Sequence, residues 1–429
     1  MNIGNINVAI EGGFDQALPK MVKVRQKFGR EQIVDLEDHI AREVSARIAA
    51  KDLAGQRIAV TAGSRGIKHI DVMTKKVVDV LKEAGAEPFI VPSMGSHGGA
   101  TAEGQRKFLA NYNITEQSMG VPILSSMEAV QIGELEDGIP VYCDKHAFES
   151  DGIVVINKIK PHADFKGEYE SGLVKMMVIG LGKHVGATYL HKQGFDTFHA
   201  LLPRAAKVFL EKAPVLFGLA IVENPFDEPM LIEAIEPGEI LNREKQLLNI
   251  AKEQVAKILL DDIDVLIVDE IGKNISGEGM DPNVTVRPGS MLYEGFHAPS
   301  IQKIVVLDVT DISHGNGAGI GMCDISTTRC INKIDLGVMY TNSITATILA
   351  PAKLPVMMNN DREAIVLAVK TCNRIRPEQV KIVRIKNTLE LDEIEVSETY
   401  LDLIKDRTDL DVISAPYELP FQANGFLFE

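Results

Sequence analysis

Between about residues 55 and 225, short apolar runs alternate with stretches of helical periodicity, and this alternation constrains the fold more than any other feature of the chain. A strand covered on both faces reads as a near-continuous apolar run, and such runs separated by helix-length segments define a mostly parallel sheet flanked by helices. The runs are RIAVTA (57–62), EPFIVP (87–92), IPVYCD (139–144), GIVVINKI (152–159) and FGLAIVEN (217–224). Between the first two, Asp71 opens a segment whose Val77, Val78, Leu81 and Ala84 share one helical face. Gly85 then stands where a glycine closes a helix.

A chain of 429 residues with 45% apolar content exceeds what one core normally serves, so two domains are expected. A helix over 242–260 followed by a new strand, VLIVDEIG (265–272), marks the boundary. Beyond it, KIVVLDV (303–309), LGVMYTN (336–342) and VKIVRIK (380–386) read as strands and 361–373 as a helix. The glycine-rich 313–327 reads as a long loop. The expected architecture is α/β: a Rossmann-like, mostly parallel domain over 1–262 and a smaller α/β domain over 263–407, with the active site in the cleft between them. The apolar, aromatic tail 408–429 is expected to dock back onto the first domain.

The net charge of −15 and a pI near 5.2 disfavour nucleic acid or an anionic membrane surface as partner. No window reaches the roughly 20 apolar residues that span a bilayer. The opening residues lack the basic start and apolar run of a secretory signal. Cys143, Cys323, Cys330 and Cys372 show no paired spacing for zinc, an iron–sulfur cluster or a redox couple, so they read as thiols of a reducing cytoplasm. A small-molecule enzyme or binder is the class that remains.

In open parallel sheets ligands sit beyond the carboxyl ends of the strands, so reactive residues belong in the loops that follow them. After 57–62 comes Gly63-Ser64-Arg65-Gly66, a small-residue turn suited to a phosphate. After 87–92, His97 stands among glycines and serines with little apolar surface to bury against. After 152–159, Pro161 stiffens the exit of the strand ahead of His162. Four of the ten histidines (His162, His184, His191 and His199) then fall close together, with Lys166, Lys175 and Lys183 between them. Lys175 lies inside the apolar GLVKMMVIG, where desolvation lowers an amine's pKa and favours covalent chemistry.

The order and gaps of Arg65, His97, His162, Lys175 and His191 resemble the nickel-pincer lactate racemase family, whose members interconvert the two configurations of a 2-hydroxy acid. The resemblance implies a nickel pincer nucleotide, a thio-modified pyridinium mononucleotide tethered to Lys175 with His191 on the nickel. It further implies His97 and His162 as proton-transferring residues, and Thr61, Gly63, Ser64 and Arg65 as the loop for cofactor phosphate and substrate. Enzymes that build the cofactor would then be maturation partners.

The chain departs from the family in two places. Ala62 stands where the racemases carry an aspartate, and Asp281-Pro282-Asn283-Val284-Thr285-Val286-Arg287 keeps an aspartate and an asparagine but loses the aromatic, glutamine and lysine that follow them. A racemase or epimerase for another 2-hydroxy acid, such as a sugar acid or a hydroxydicarboxylate, fits that pattern. Arg65, Lys273, Asn283, Thr285, Arg287 and His314 are its candidate substrate contacts. A metal-dependent sugar-acid dehydratase and a non-catalytic nucleotide- or metal-binding protein are the alternatives.

Overall fold

The computed structural model describes residues 3–64, 66–297 and 299–428. The chain forms two compact units, Gly29–Val255 and Met1–Phe28 together with Ala256–Glu429.

The first unit is built on a five-stranded sheet in the order Glu87–Pro92, Arg57–Ala62, Gly152–Lys158, Val215–Glu223, Pro229–Ile235. The first four strands run parallel and the last is antiparallel. Alternate side chains of each strand enter two different cores, which is why the runs are apolar throughout. Ala59, Val91, Ile153, Val155 and Ala220 face one side; Ile58, Val60, Ile90, Val154 and Leu219 face the other. The helices Leu36–Ile48 and Ile70–Glu83 bury Ile40, Val44, Met73, Val77 and Leu81 on the second side. Phe198–Lys212 and Ile240–Glu253 cover the first side with Leu202, Ala206, Phe209 and Leu247.

The expected mostly parallel, helix-flanked sheet is thus present, with two differences. The run 139–144 does not join it: Pro140–Asp144 pairs antiparallel with Ala129–Glu134 in a separate two-stranded sheet. The antiparallel edge strand, Pro229–Ile235, is one that the sequence reading did not include; it is only partly covered. The helix expected over 242–260 spans Ile240–Glu253 and stops before the predicted end.

The second unit holds an eight-stranded mixed sheet in the order Val356–Met358, Ile325–Thr327, Ser300–Val309, Asp262–Ile271, Ile382–Ile385, Glu393–Ser397, Met21–Gln26, Leu410–Val412. Its first five strands are parallel and the rest antiparallel. Leu266, Val268, Ile304 and Val306 enter one core, and Val265, Ile267, Val305 and Leu307 the other, where Asp361–Thr371 packs Ala364, Ile365 and Ala368.

The units divide the chain differently from 1–262 and 263–407. Met21–Gln26 lies between Glu393–Ser397 and Leu410–Val412 and buries Met21, Val22 and Val24 in the second unit. The tail 408–429 packs there as well, with Leu419 and Leu427 against Val265 and Ile267, rather than on the first unit. The stretch 336–342 is not a strand but the start of a helix, Leu336–Thr345. Asp335 caps it by accepting the Val338 N–H at 3.1 Å, a local bond that overrides the strand-like composition. Among the described residues, no helix is long and apolar enough to cross a membrane.

Candidate active site

Three successive strand exits of the first unit and one helical segment carry the candidate residues. The segment begins with Leu173–Lys175, widens into a π-helical stretch over Met176–Gly180, and resumes as Lys183–His191. A π-bulge is an uncommon device concentrated at functional sites. Here it carries Lys175 on one side and His191 on the other.

Lys175 and His162 meet directly, with Nζ 2.5 Å from Nε2. The His162 Nδ1 accepts the backbone N–H of Asp164 at 2.9 Å. A neutral imidazole has one donor and one acceptor nitrogen, so Nδ1 as acceptor places the ring proton on Nε2. The partner of Nε2–H must then be a lone pair, which makes Lys175 a neutral amine. His162 is 8% exposed, and its ring packs against Phe165 at 4.3 Å and Phe195 at 6.0 Å between centroids.

The His162 loop is organised by Glu170, whose side chain is fully buried. It accepts the N–H of His162 at 2.7 Å and of Gly167 at 3.2 Å, and pairs with Lys166 at 3.3 Å and Lys252 at 2.7 Å. Lys166 also donates to the His162 carbonyl at 2.6 Å. Three of these partners lie within eight residues of Glu170, and Lys252 comes from the helix Ile240–Glu253.

His191 stacks near Phe195 and Phe198, at 5.6 and 5.4 Å, so both histidines share one aromatic wall. Its Nδ1 lies 2.7 Å from the Ala187 carbonyl and can only donate to it, which leaves the lone pair on Nε2. Burial above all, and the Lys175 amine whenever it is protonated, push its pKa down, to about 4. A neutral ring with a fixed tautomer and an available Nε2 is the form in which histidine binds metals.

His97 follows the Glu87–Pro92 strand on an exposed loop, with Nδ1 2.5 Å from Ser64 Oγ. Ser64 therefore contacts a histidine in addition to standing in the phosphate-type turn that the sequence suggested. The His97 loop docks on the π-helical stretch: Gly95, at φ +58°, donates its N–H to the Gly180 carbonyl at 3.1 Å. Gly63 approaches the same stretch so closely that a Cβ there would lie 2.8 Å from Met176 Cε. Thr61 is buried, and its hydroxyl accepts the Ile156 N–H at 2.8 Å. Arg65 lies outside the described residues.

A second carboxylate sits at the base of the helical segment. Glu244, 1% exposed, accepts the Val174 N–H at 2.9 Å, and complete burial pushes its pKa up to about 7 against those backbone bonds. Gly172 permits this approach, since a Cβ at that position would lie 2.4 Å from Glu244 Oε1.

The remaining substrate candidates belong to the other unit, where their polar groups have partners. Lys273 donates to the Gly277 carbonyl at 2.5 Å and Asn283 to Asp281 at 2.8 Å. Thr285 is buried, with its hydroxyl 3.4 Å from the Asp281 carbonyl. Arg287 pairs with Asp324 at 2.9 Å and reaches the Met322 and Gln302 carbonyls, a structural engagement the sequence did not suggest. His314 is exposed at a left-handed turn, φ 47°. Of the seven candidate positions in the first unit that lie among the described residues, His162, Lys175 and His191 come together, Ser64 and His97 form a second contact, and Gly63 packs against the helix between them.

Residues 37–199, which include His97, His162, Lys175 and His191, match the lactate racemase N-terminal domain. That match makes 37–199 similar to the N-terminal domain of the lactate racemases. Two solved structures are similar over most of the chain. One is the lactate racemase apoprotein from Thermoanaerobacterium thermosaccharolyticum, with a TM-score of 0.50 at 14% identity over 86% of this chain and 93% of that one. The other is a Thermotoga maritima protein, with a TM-score of 0.49 at 14% identity over 85% and 99%. The first of these likenesses is one of fold. No curated protein matches the chain in sequence.

Proposed function

We propose that the chain is a racemase or epimerase of a 2-hydroxy acid that works with a nickel pincer nucleotide attached at Lys175. The carrying observation is the contact between Lys175 and His162, whose hydrogen-bond pattern leaves the lysine as a neutral amine beside a neutral, buried His191. A neutral amine is the nucleophile that covalent attachment needs.

The donor set fits the group. Among the described residues no three or more His, Cys, Asp or Glu side chains gather as a metal site. His191 presents a lone pair on Nε2, and a bound pincer nucleotide would supply the further ligands of a metal held there. Lys175 stands beside that histidine as the attachment point, and the Gly63–Ser64 turn offers backbone N–H groups for a phosphate. When bound, the nucleotide supplies the acceptor carbon for hydride chemistry at the substrate's C2.

The protein's own share is proton handling and orientation. Inverting C2 requires the hydroxyl proton to be taken from either of two orientations, so two acid/base groups are needed. His97 and His162, carried by exits of different strands, fill those roles. Ser64 sets the His97 ring through Nδ1. The Asp164 N–H sets the His162 ring by occupying Nδ1, which leaves Nε2 as the nitrogen that exchanges a proton, with the Asp164 carboxylate 4.0 Å from Nδ1. The aromatic wall of Phe165, Phe195 and Phe198 keeps water from that side.

Screening optically pure 2-hydroxy acids, sugar acids and hydroxydicarboxylates with enzyme from cells that make the cofactor tests the reading. Loss of optical purity with unchanged formula is expected. A 2-keto-3-deoxy product would identify a dehydratase instead.

A further inference from the structure

We infer that Lys183 is a positioning residue for His97, holding the 93–98 loop from beneath through Pro92 and Gln105 and tying it to the helix that carries His191. This inference rests on the role proposed for His97.

Lys183 is the first residue of Lys183–His191 and is 0% exposed. Its ammonium donates to the Pro92 carbonyl at 2.6 Å and to Gln105 Oε1 at 3.3 Å, and forms an ion pair with Asp144 Oδ2 at 3.1 Å. Pro92 is the last residue of the strand from which the His97 loop departs. Gln105, also 0% exposed, spends its amide N–H groups on the carbonyls of Gly95 at 2.9 Å and His97 at 3.2 Å. Lys183 thus fixes the start of the loop directly and its tip through one intermediary.

Two features set this lysine apart from an incidental buried charge. Lys183 adopts φ +55°, a left-handed conformation that side chains rarely take and that persists only where surroundings over-determine it. Replacing a buried ion pair by apolar residues is often neutral or stabilising, so stability alone does not explain this pair. Asp144 compensates the charge while its Oδ1 caps the next turn by accepting the Ala147 N–H at 3.0 Å. Both hydrogen bonds of the ammonium serve the His97 loop.

The test is the double variant Lys183→Met with Asp144→Asn in the full chain. Methionine keeps the apolar stem and removes the ammonium. Asparagine removes the charge that would be stranded and keeps the cap. Three readings are taken: hydrogen exchange at the Gly95 and His97 amides, kcat and KM for interconversion, and the mass of the Lys175 peptide with nickel content. We expect exchange about tenfold or more faster, with the unfolding midpoint near that of the parent. We also expect kcat to fall by about tenfold or more with KM, adduct and nickel retained, because a misplaced acid/base group costs turnover rather than loading. Unchanged exchange and unchanged kcat in a folded double variant would overturn the inference. If the double variant does not fold, Gln105→Leu is read in the same way. Should the parent enzyme show neither adduct nor turnover, the proposed function fails, and the exchange data on the unloaded chain still decide whether Lys183 holds the loop.

Discussion

Lys175 Nζ lies 2.5 Å from His162 Nε2 while His162 Nδ1 accepts the Asp164 N–H, so histidine and lysine share one proton arrangement in which the amine is uncharged. The expected consequence is selective reactivity. With a trace of amine-directed acylating reagent at pH 7, peptide mapping should find Lys175 in the unloaded chain labelled about tenfold or more faster than surface lysines such as Lys107. His162→Phe should slow that labelling. Equal labelling of Lys175 and Lys107 would contradict the neutral amine.

His191 should remain neutral through the physiological range. Its folded pKa of about 4 lies below the ordinary histidine value of about 6.5, so the unfolded chain binds the extra proton first. Its contribution to stability is therefore complete above about pH 6.5 and is lost as the pH falls toward 4. Ring nitrogen shifts of the unloaded chain should show an Nδ1–H tautomer at pH 6. Titration near 6.5 would contradict it.

Glu244 has the opposite sign. Its folded pKa of about 7 lies above the ordinary carboxyl value, so the folded chain holds a proton that the unfolded chain has released. Its ionisation costs stability as the pH rises from about 4.5 to 7, by up to about 3 kcal/mol. Glu244→Gln keeps an acceptor for the Val174 N–H and cannot ionise. Thermal unfolding should find the variant more stable than the parent at pH 8 and nearly matched at pH 4.5; equal stability at both pH values would refute the assignment.

Glu170→Gln tests the support beneath His162. The amide cannot neutralise Lys166 and Lys252 or accept four hydrogen bonds, so urea unfolding should register a loss of about 1–3 kcal/mol. Turnover should fall further than that loss explains, because the His162 N–H loses its anchor. A variant with parental stability and turnover would show that Glu170 does not organise the loop.

The residues proposed to act are more legible in the sequence than those that hold them. His97, His162, Lys175 and His191 stand out because glycine, proline and apolar neighbours make a polar side chain conspicuous. Glu170, Glu244 and Gln105 look like ordinary surface residues, and Lys183 was conspicuous without an assignable role. Glu170, Glu244 and Gln105 each have a partner in a distant segment (Lys252, Val174 and Lys183), and no local pattern encodes a contact such as Glu244 with Val174, 70 positions apart. The same holds for the fold. The long parallel strands of the first unit follow from continuous apolar runs, whereas Met21–Gln26 gains its place from Glu393–Ser397, hundreds of positions away. The helix Leu336–Thr345 was misread because Val338, Met339 and Tyr340 look strand-like until the Asp335 cap is seen.

The most direct measurement is the intact mass and nickel content of the chain co-expressed with the enzymes that build the pincer nucleotide, with peptide mapping of the adduct. The account predicts a nucleotide adduct on Lys175 with about one nickel per chain, and His191→Ala keeping the adduct while losing the metal. An unmodified mass without nickel, from cells in which an established lactate racemase is loaded, would contradict it.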